Sequence, residues 1–187
     1  MTVSGGGPSA ISFAAMFPQR TKALIAIEAA SQPLTGVGLP EFLQSDFNFW
    51  LVINILESLG NETIVSMMVP DHENQMLILN DSRKVNEFID GIWSLWPISI
   101  REEGMKNDLL QFSQMNLEIE RITAPTLIIH GTADRNVLFA DSEKLAVQIQ
   151  GSIFHKIEGA DHMMILTHQE EIAGEIEQFI NDNNFAE

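Results

Sequence analysis

The sequence contains no cysteine and few basic residues. Without cysteine, the chain can form no disulfide bond, no thiolate nucleophile and no zinc–thiolate site. Only 10 Lys and Arg accompany 26 Asp and Glu, and the net charge of −16 repels nucleic-acid phosphates and anionic membrane surfaces. No apolar run reaches the roughly 18 residues of a membrane-spanning helix, and no signal-peptide pattern is visible. We therefore expect no nucleic-acid or membrane partner, and a cytoplasmic location.

The composition is that of a globular protein, with 45% hydrophobic and 19% charged residues. A length of 187 residues accommodates one domain, or a domain with an insertion. Residues 1–33 and 121–187 alternate short apolar runs with helical patterns, whereas residues 34–120 look mostly helical throughout. The pattern predicts an α/β core interrupted by a helical insertion.

The first segment has the pattern of a turn that presents a nucleophilic serine. Residues 2–6 read small-x-Ser-x-small around Ser4, a variant of the Gly-x-Ser-x-Gly elbow in which a sharp strand-to-helix turn exposes the hydroxyl. A helix is predicted from Pro8 to Phe17, followed by a buried parallel strand at 23–27. The alternative interpretation of the serine and three glycines is a flexible linker.

The last segment places two polar groups after predicted strands. Asp134 follows a strand at 126–130, and His162 follows a strand at 153–157. A helix is predicted from Asp141 to Ile149, and a capping-box pattern at 167–170 predicts the start of a final helix. Open parallel sheets place their chemistry at such strand ends.

The order Ser4, Asp134, His162 suits nucleophilic acyl transfer. The histidine would accept the serine proton, and the aspartate would hold the imidazole tautomer and stabilise the imidazolium. A lone aspartate after a strand is more often a turn former or a helix cap. The other histidines are interpreted as surface or internally paired residues: His72, His130, His155 and His168.

These motifs together resemble the C-terminal two-thirds of an α/β-hydrolase with a helical cap. The resemblance implies a partial α/β-hydrolase fold, comprising the last three parallel strands with flanking helices and an inserted cap at 34–120. It assigns Ser4 as nucleophile, Asp134 as acid, His162 as base and the Gly5 amide as one oxyanion donor, with no metal or cofactor. It rests on four segments: residues 3–10, residues 17–20, residues 124–134 and residues 159–162.

Some positions depart from the family pattern. Thr2 stands where glycine is usual, at a position that requires a small residue. Glu28 follows the strand after the elbow helix, where some dehalogenase-like relatives keep their acid, so it is the alternative acid to Asp134. The strand before Ser4 is reduced to Met1–Val3, and the family's earlier strands are expected to lie in a missing N-terminal half. That absence would expose an unpaired apolar edge at 23–27 and favour self-association.

The expected function is hydrolysis of a small, mostly apolar ester, lactone or amide. The apolar residues of 34–120 would either roof a substrate pocket or simply form the cores between helices. Carbon–carbon bond hydrolysis and cofactor-free perhydrolysis stay open, because a fold does not determine a reaction. The alternatives are a non-catalytic small-ligand-binding protein on the same fold, or a fragment that needs its N-terminal half. The chain alone is expected to be weakly active or inactive.

Overall fold

A computed structural model describes residues 1–34, 36 and 38–184. The chain divides into two compact units, one formed by Met1–Thr35 with Phe112–Glu187 and the other by Gly36–Gln111. The second unit is therefore shorter than the predicted insertion of 34–120. Ile119 is one of the residues at the end of the predicted insertion that the second unit does not include. It is buried together with Ile122 in the core of the first unit.

The first unit contains a parallel sheet of four strands. The strands are β1 (Thr2–Val3), β2 (Leu24–Ile27), β3 (Thr126–Gly131) and β4 (Ile153–Ile157), and they lie in this order across the sheet. The three strands predicted from apolar runs are present, and the two residues before Ser4 add a fourth. Because β1 pairs with Ala26 and Ile27, β2 lies inside the sheet and all four of its residues are buried. The expected exposed edge at 23–27 is therefore wrong.

Alternating side chains of the inner strands pack against helices on both faces of the sheet. Helices α1 (Gly7–Met16) and α7 (Phe139–Gln148) contribute to the core of one face, with Ala26 of β2 and Ile128 of β3. Helices α8 (Met164–Thr167) and α9 (Gln169–Asp182) cover the other face, which includes Ile27 and Ile129. Burial on both faces explains why these strands read as continuous apolar runs.

Both predicted helices are present, but the residues predicted to cap them are wrong. Helix α7 begins at Phe139, so Asp141 lies inside its first turn, where Lys144 donates to its carboxylate at 2.9 Å. Thr167 ends α8 and donates its hydroxyl to the Met163 carbonyl at 3.2 Å. Since Thr167 is already helical, it cannot adopt the extended conformation of an N-cap, and His168 takes that position instead.

The second unit consists mainly of helices with polar caps. Ser45, Asp71 and Asp81 each accept a backbone N–H at the first turn of the helix that follows them. The helices that follow β2 are α2 (Asp46–Ser58), α3 (Asn61–Met68), α4 (His72–Leu79), α5 (Ser82–Trp93) and α6 (Glu102–Ser113).

The aromatic side chains of the second unit divide between core and surface. Phe49 and Phe88 are buried, as expected of a helix core. Phe42 and Phe47 are 61% and 66% exposed, so the core interpretation is wrong for these two. No helix in the described part of the chain is long and apolar enough to cross a membrane.

Candidate active site

Ser4 lies at a tight turn between β1 and α1. The strand ends at Val3, residues Ser4–Gly6 form one 3₁₀ turn, and α1 begins at Gly7. The φ angle of Ser4 is +47°, a left-handed conformation that costs a non-glycine residue energy and that is concentrated at functional sites. The interpretation of this run as a flexible linker is therefore wrong, because its residues form the turn and start the helix.

Close backbone packing explains the glycine at position 7. A Cβ atom there would lie 2.3 Å from the Ala30 carbonyl oxygen, well inside van der Waals contact. The Ala30 amide in turn donates to the Ser4 carbonyl at 3.0 Å. The segment that follows β2 thus supports the turn, and no side chain can be inserted between them.

His162 bridges Ser4 and Asp134. The Ser4 Oγ lies 2.8 Å from His162 Nε2, and His162 Nδ1 lies 2.8 Å from Asp134 Oδ2. A neutral imidazole satisfies both contacts when Nδ1–H donates to the carboxylate and Nε2 accepts from the serine hydroxyl, which is the tautomer we assign. Three residues predicted from separate strand ends are thus hydrogen-bonded in series.

Asp134 is held as a carboxylate by several donors. Its Oδ1 accepts the backbone N–H groups of Asn136 and Val137 at 2.8 and 3.1 Å. Burial opposes its ionisation, but hydrogen bonds from His130 and His162 outweigh burial and hold the pKa of the carboxyl well below its usual range. The residue is therefore an anion under ordinary conditions and is fixed in orientation.

His130 is a further member of this network. It is fully buried at the end of β3, and its Nε2 lies 3.1 Å from Asp134 Oδ2 and 3.0 Å from the Val137 carbonyl. Since both are acceptors, Nε2 carries the proton, and Nδ1 accepts from the Ser142 hydroxyl at 2.6 Å. The sequence left His130 as either a surface residue or an internally paired one, and nothing in it indicated that its partner is the acid.

Glu28 lies close to the same histidine without bonding to it. Its Oε2 is 3.9 Å from His162 Nδ1, beyond hydrogen-bond distance, and has no hydrogen-bond partner among the described residues. The residue is 2% exposed. Burial, reinforced by the nearby charges of Asp134 and Asp161, raises the pKa of Glu28 to about 9.

Three of these side chains carry groups that bind metal ions. One ligand atom each from Glu28, Asp134 and His162 lies within 4.8 Å of the other two. The set comprises an imidazole nitrogen and two carboxylate oxygens, which are ligands common at zinc sites.

Gly5, the predicted oxyanion donor, directly follows Ser4 in the turn and is exposed.

No protein-family model and no curated protein sequence matches the chain. Among solved structures, an α/β-hydrolase fold protein from Nakamurella multipartita matches 94% of this chain with 27% identity and a TM-score of 0.79. A thermophilic esterase from Thermogutta terrifontis matches with 20% identity and a TM-score of 0.63 over 97% of this chain. An enol-lactonase from Burkholderia xenovorans matches with 18% identity and a TM-score of 0.64 over 96%.

These matches show that the chain has the α/β-hydrolase fold, as the sequence motifs predicted. The chain spans 65%, 63% and 64% of the three proteins' respective lengths.

Proposed function

We propose that this chain, which has the α/β-hydrolase fold, is a serine hydrolase with Ser4 as nucleophile, His162 as general base and Asp134 as the orienting acid. The observation that carries the proposal is the unbroken hydrogen-bonded series, with 2.8 Å from serine to histidine and 2.8 Å from histidine to aspartate. The strained backbone of Ser4 supports the same role, because the nucleophile elbow of this fold requires such a turn.

The geometry supports a two-step acyl transfer. Ser4 Oγ attacks the substrate's carbonyl carbon while His162 Nε2 accepts the hydroxyl proton, and Asp134 stabilises the resulting imidazolium. The imidazolium then returns the proton to the leaving group, and an acyl–serine ester remains. A water molecule, deprotonated by the same nitrogen, hydrolyses that ester and restores the serine.

The Gly5 amide is the proposed donor to the developing oxyanion. In this fold the residue after the nucleophile supplies one oxyanion N–H, and a loop after an earlier strand supplies a second. We assign no residue of this chain to the second position. One donor contributes about 10²–10³ in turnover, so we propose that the 187-residue chain by itself turns over slowly or needs a further segment.

The proposed substrates are small, mostly apolar esters, lactones or amides. Two structural neighbours are an esterase and an enol-lactonase, and hydrolysis of an ester or a lactone begins with attack on an acyl carbonyl. The net charge of −16 disfavours anionic substrates by repulsion. The proposal therefore favours neutral acyl compounds.

Asp134 is the better acid of the two candidates. It is hydrogen-bonded to His162 and is ionised, whereas Glu28 is 3.9 Å away and its raised pKa keeps it protonated at neutral pH. A neutral carboxyl stabilises an imidazolium much less than a carboxylate does. We therefore propose Asp134 for the role that the sequence left between the two.

A fluorophosphonate probe tests the assignment, with intact mass as the readout. The expected result is a single adduct on the parent chain and none on Ser4→Ala. Ser9→Ala is the matched control, because Ser9 is an exposed serine in α1, a few residues from the turn, and the adduct should persist in it. A folded parent chain that forms no adduct would contradict an assembled triad and favour the alternatives, which are a non-catalytic ligand-binding protein or a fragment that needs its N-terminal half. An adduct that survives in Ser4→Ala would contradict the choice of nucleophile.

A further inference from the structure

We propose that Glu28, Asp134 and Nδ1 of His162 bind a divalent transition-metal ion, preferentially Zn²⁺, and that the bound ion switches the hydrolase chemistry off. The first part depends only on the cluster itself. The second part rests on the proposed function, because it concerns the histidine assigned there as general base.

The spacing of the ligand atoms suits a small tetrahedral ion. Around an ion with bonds of about 2.0–2.1 Å, neighbouring ligand atoms lie about 3.3 Å apart. His162 Nδ1 is 2.8 Å from Asp134 Oδ2 and 3.9 Å from Glu28 Oε2, and all three ligand atoms lie within 4.8 Å of one another. The Glu28 carboxyl would therefore have to move toward the other two ligands. Small side-chain rotations would bring the three atoms onto one ion, with a water molecule in the fourth position.

Glu28 provides the observation that separates this cluster from an ordinary catalytic triad. Its side chain is 97% buried, and its Oε2 points toward the imidazole without a hydrogen-bond partner among the described residues. A buried polar atom without a partner is costly, and coordination to a cation would satisfy it. Because Glu28 carries a proton in the free site, it would release that proton to solvent on coordination. The cation would then take the proton's place beside the Asp134 and Asp161 carboxylates, whose charges it would neutralise.

The chemistry of the ligands selects among metals. An imidazole nitrogen with two carboxylates suits zinc and neighbouring transition metals, whereas Mg²⁺ prefers oxygen ligands in octahedral geometry. The His162 side chain keeps 16% of its surface exposed, so an ion can reach the cluster from solvent. Asp134 stays anchored through its Oδ1 bonds to Asn136 and Val137.

Coordination at Nδ1 would remove the general base. A neutral imidazole carries one proton, and a metal on Nδ1 requires that proton to be on Nε2. Nε2 is the atom 2.8 Å from Ser4 Oγ. Once protonated it can donate to the serine but cannot accept the serine proton, so attack on a carbonyl stops until the ion leaves.

Direct zinc titration of the tag-free, chelator-treated chain tests the site, with a competing fluorescent zinc indicator as readout. We expect one site per chain for Zn²⁺ and none for Mg²⁺ at the same concentrations. Glu28→Gln should weaken zinc binding at least tenfold, and Glu28→Asp, which shortens the ligand, is the second variant if the first does not fold. Glu171→Gln is the matched control, because Glu171 contacts a surface histidine, His155, at 2.9 Å outside the site.

The outcomes separate this proposal from the proposed function. Zinc affinity that falls in Glu171→Gln but not in Glu28→Gln would place the ion on the surface and overturn the proposal. Fluorophosphonate labelling of the parent should fall at least tenfold with Zn²⁺, persist with Mg²⁺ and recover with chelator. Zinc binding at Glu28 without any labelling under any condition would leave the metal site standing while the hydrolase assignment fails. Labelling that is unaffected by saturating zinc would overturn the inhibitory role.

Discussion

At the scale of single residues, the site depends on the contrast between two buried carboxyls. Asp134 receives donors at both of its oxygens and is held as an anion, whereas Glu28 faces other carboxylates and holds its proton. The two groups lie beside the same imidazole, so their surroundings rather than their position decide their roles. Protonation of Glu28 keeps the site from carrying a second negative charge next to Asp134.

Replacement of Asp134 by asparagine tests this assignment. We expect the rate of Ser4 labelling to fall by about 10⁴, because an amide neither fixes the required tautomer nor stabilises the imidazolium. The rate constant is measured by intact mass over time, with thermal melting to show that the variant is folded. Asp182→Asn is the control, since Asp182 is exposed at the end of α9, and its rate should equal that of the parent. A loss smaller than tenfold in folded Asp134→Asn would mean that another group, Glu28 foremost, acts as the acid.

At the scale of elements, two glycines mark places where backbones pack too closely for a side chain. Gly7 starts α1 against Ala30, and Gly131 ends β3 against Ala160. In each case a Cβ atom would lie 2.3 Å from a backbone carbonyl oxygen. Both contacts lie beside the candidate site, one at the serine turn and one at the start of the loop that carries Asp134.

Gly131→Ala is therefore expected to destabilise the fold. The obstacle is backbone rather than a flexible side chain, so β3 or the loop after β4 must move, at a cost of about 1–3 kcal/mol in the free energy of unfolding. Gly174→Ala is the matched control, because a Cβ at this position in α9 meets no atom within 4 Å. That variant should gain up to about 1 kcal/mol from helix propensity. Urea unfolding measures the free energy of unfolding of both variants, which should fall for Gly131→Ala and rise for Gly174→Ala. If Gly131→Ala is as stable as the parent, the packing argument is wrong.

The elements that sequence predicted well are those whose signal is local. Strands β2 and β3 read as apolar runs because both faces of the sheet are covered there. The structure places β2, β3 and the edge strand β4 within a residue or two of the prediction. The cap of α9 is His168 rather than Thr167, because Thr167 belongs to α8, which is stabilised by burial of Met164 in the core. Pattern alone cannot weigh such a tertiary contact.

The same distinction applies to the site. Ser4, Asp134 and His162 could be proposed from sequence, because the ends of parallel strands meet along one edge of the sheet. The part played by His130 could not, since its bonds to Asp134 and Val137 depend on how the loop after β3 returns over the strand end. Likewise, no residue pattern predicts the positive φ of 41° at Glu28 or its distance of 3.9 Å from His162.

At the scale of the whole molecule, net charge and unpaired strand edges have opposite effects on association between copies of the chain. A charge of −16 repels a second copy of the chain. Among the described residues, β1 has no strand on its outer side, and an unpaired edge offers N–H and C=O groups to another chain. Repulsion dominates when salt does not screen it, and its range falls from about 30 Å at 0.01 M to about 3 Å at 1 M ionic strength.

Self-association is consequently expected to increase with salt. Light scattering should give the mass of one chain, 20.9 kDa, in 0.01 M NaCl and a larger average mass in 1 M NaCl. The opposite edge supplies the control: Ile153 in β4 is 47% exposed, and Ile153→Lys adds a charge that blocks pairing there. If association runs through β1, this variant should associate as the parent does. If Ile153→Lys stays monomeric in 1 M NaCl while the parent associates, the contact runs through β4. If the parent itself keeps the mass of one chain in 1 M NaCl, neither edge pairs with a second copy once repulsion is screened, and the prediction fails.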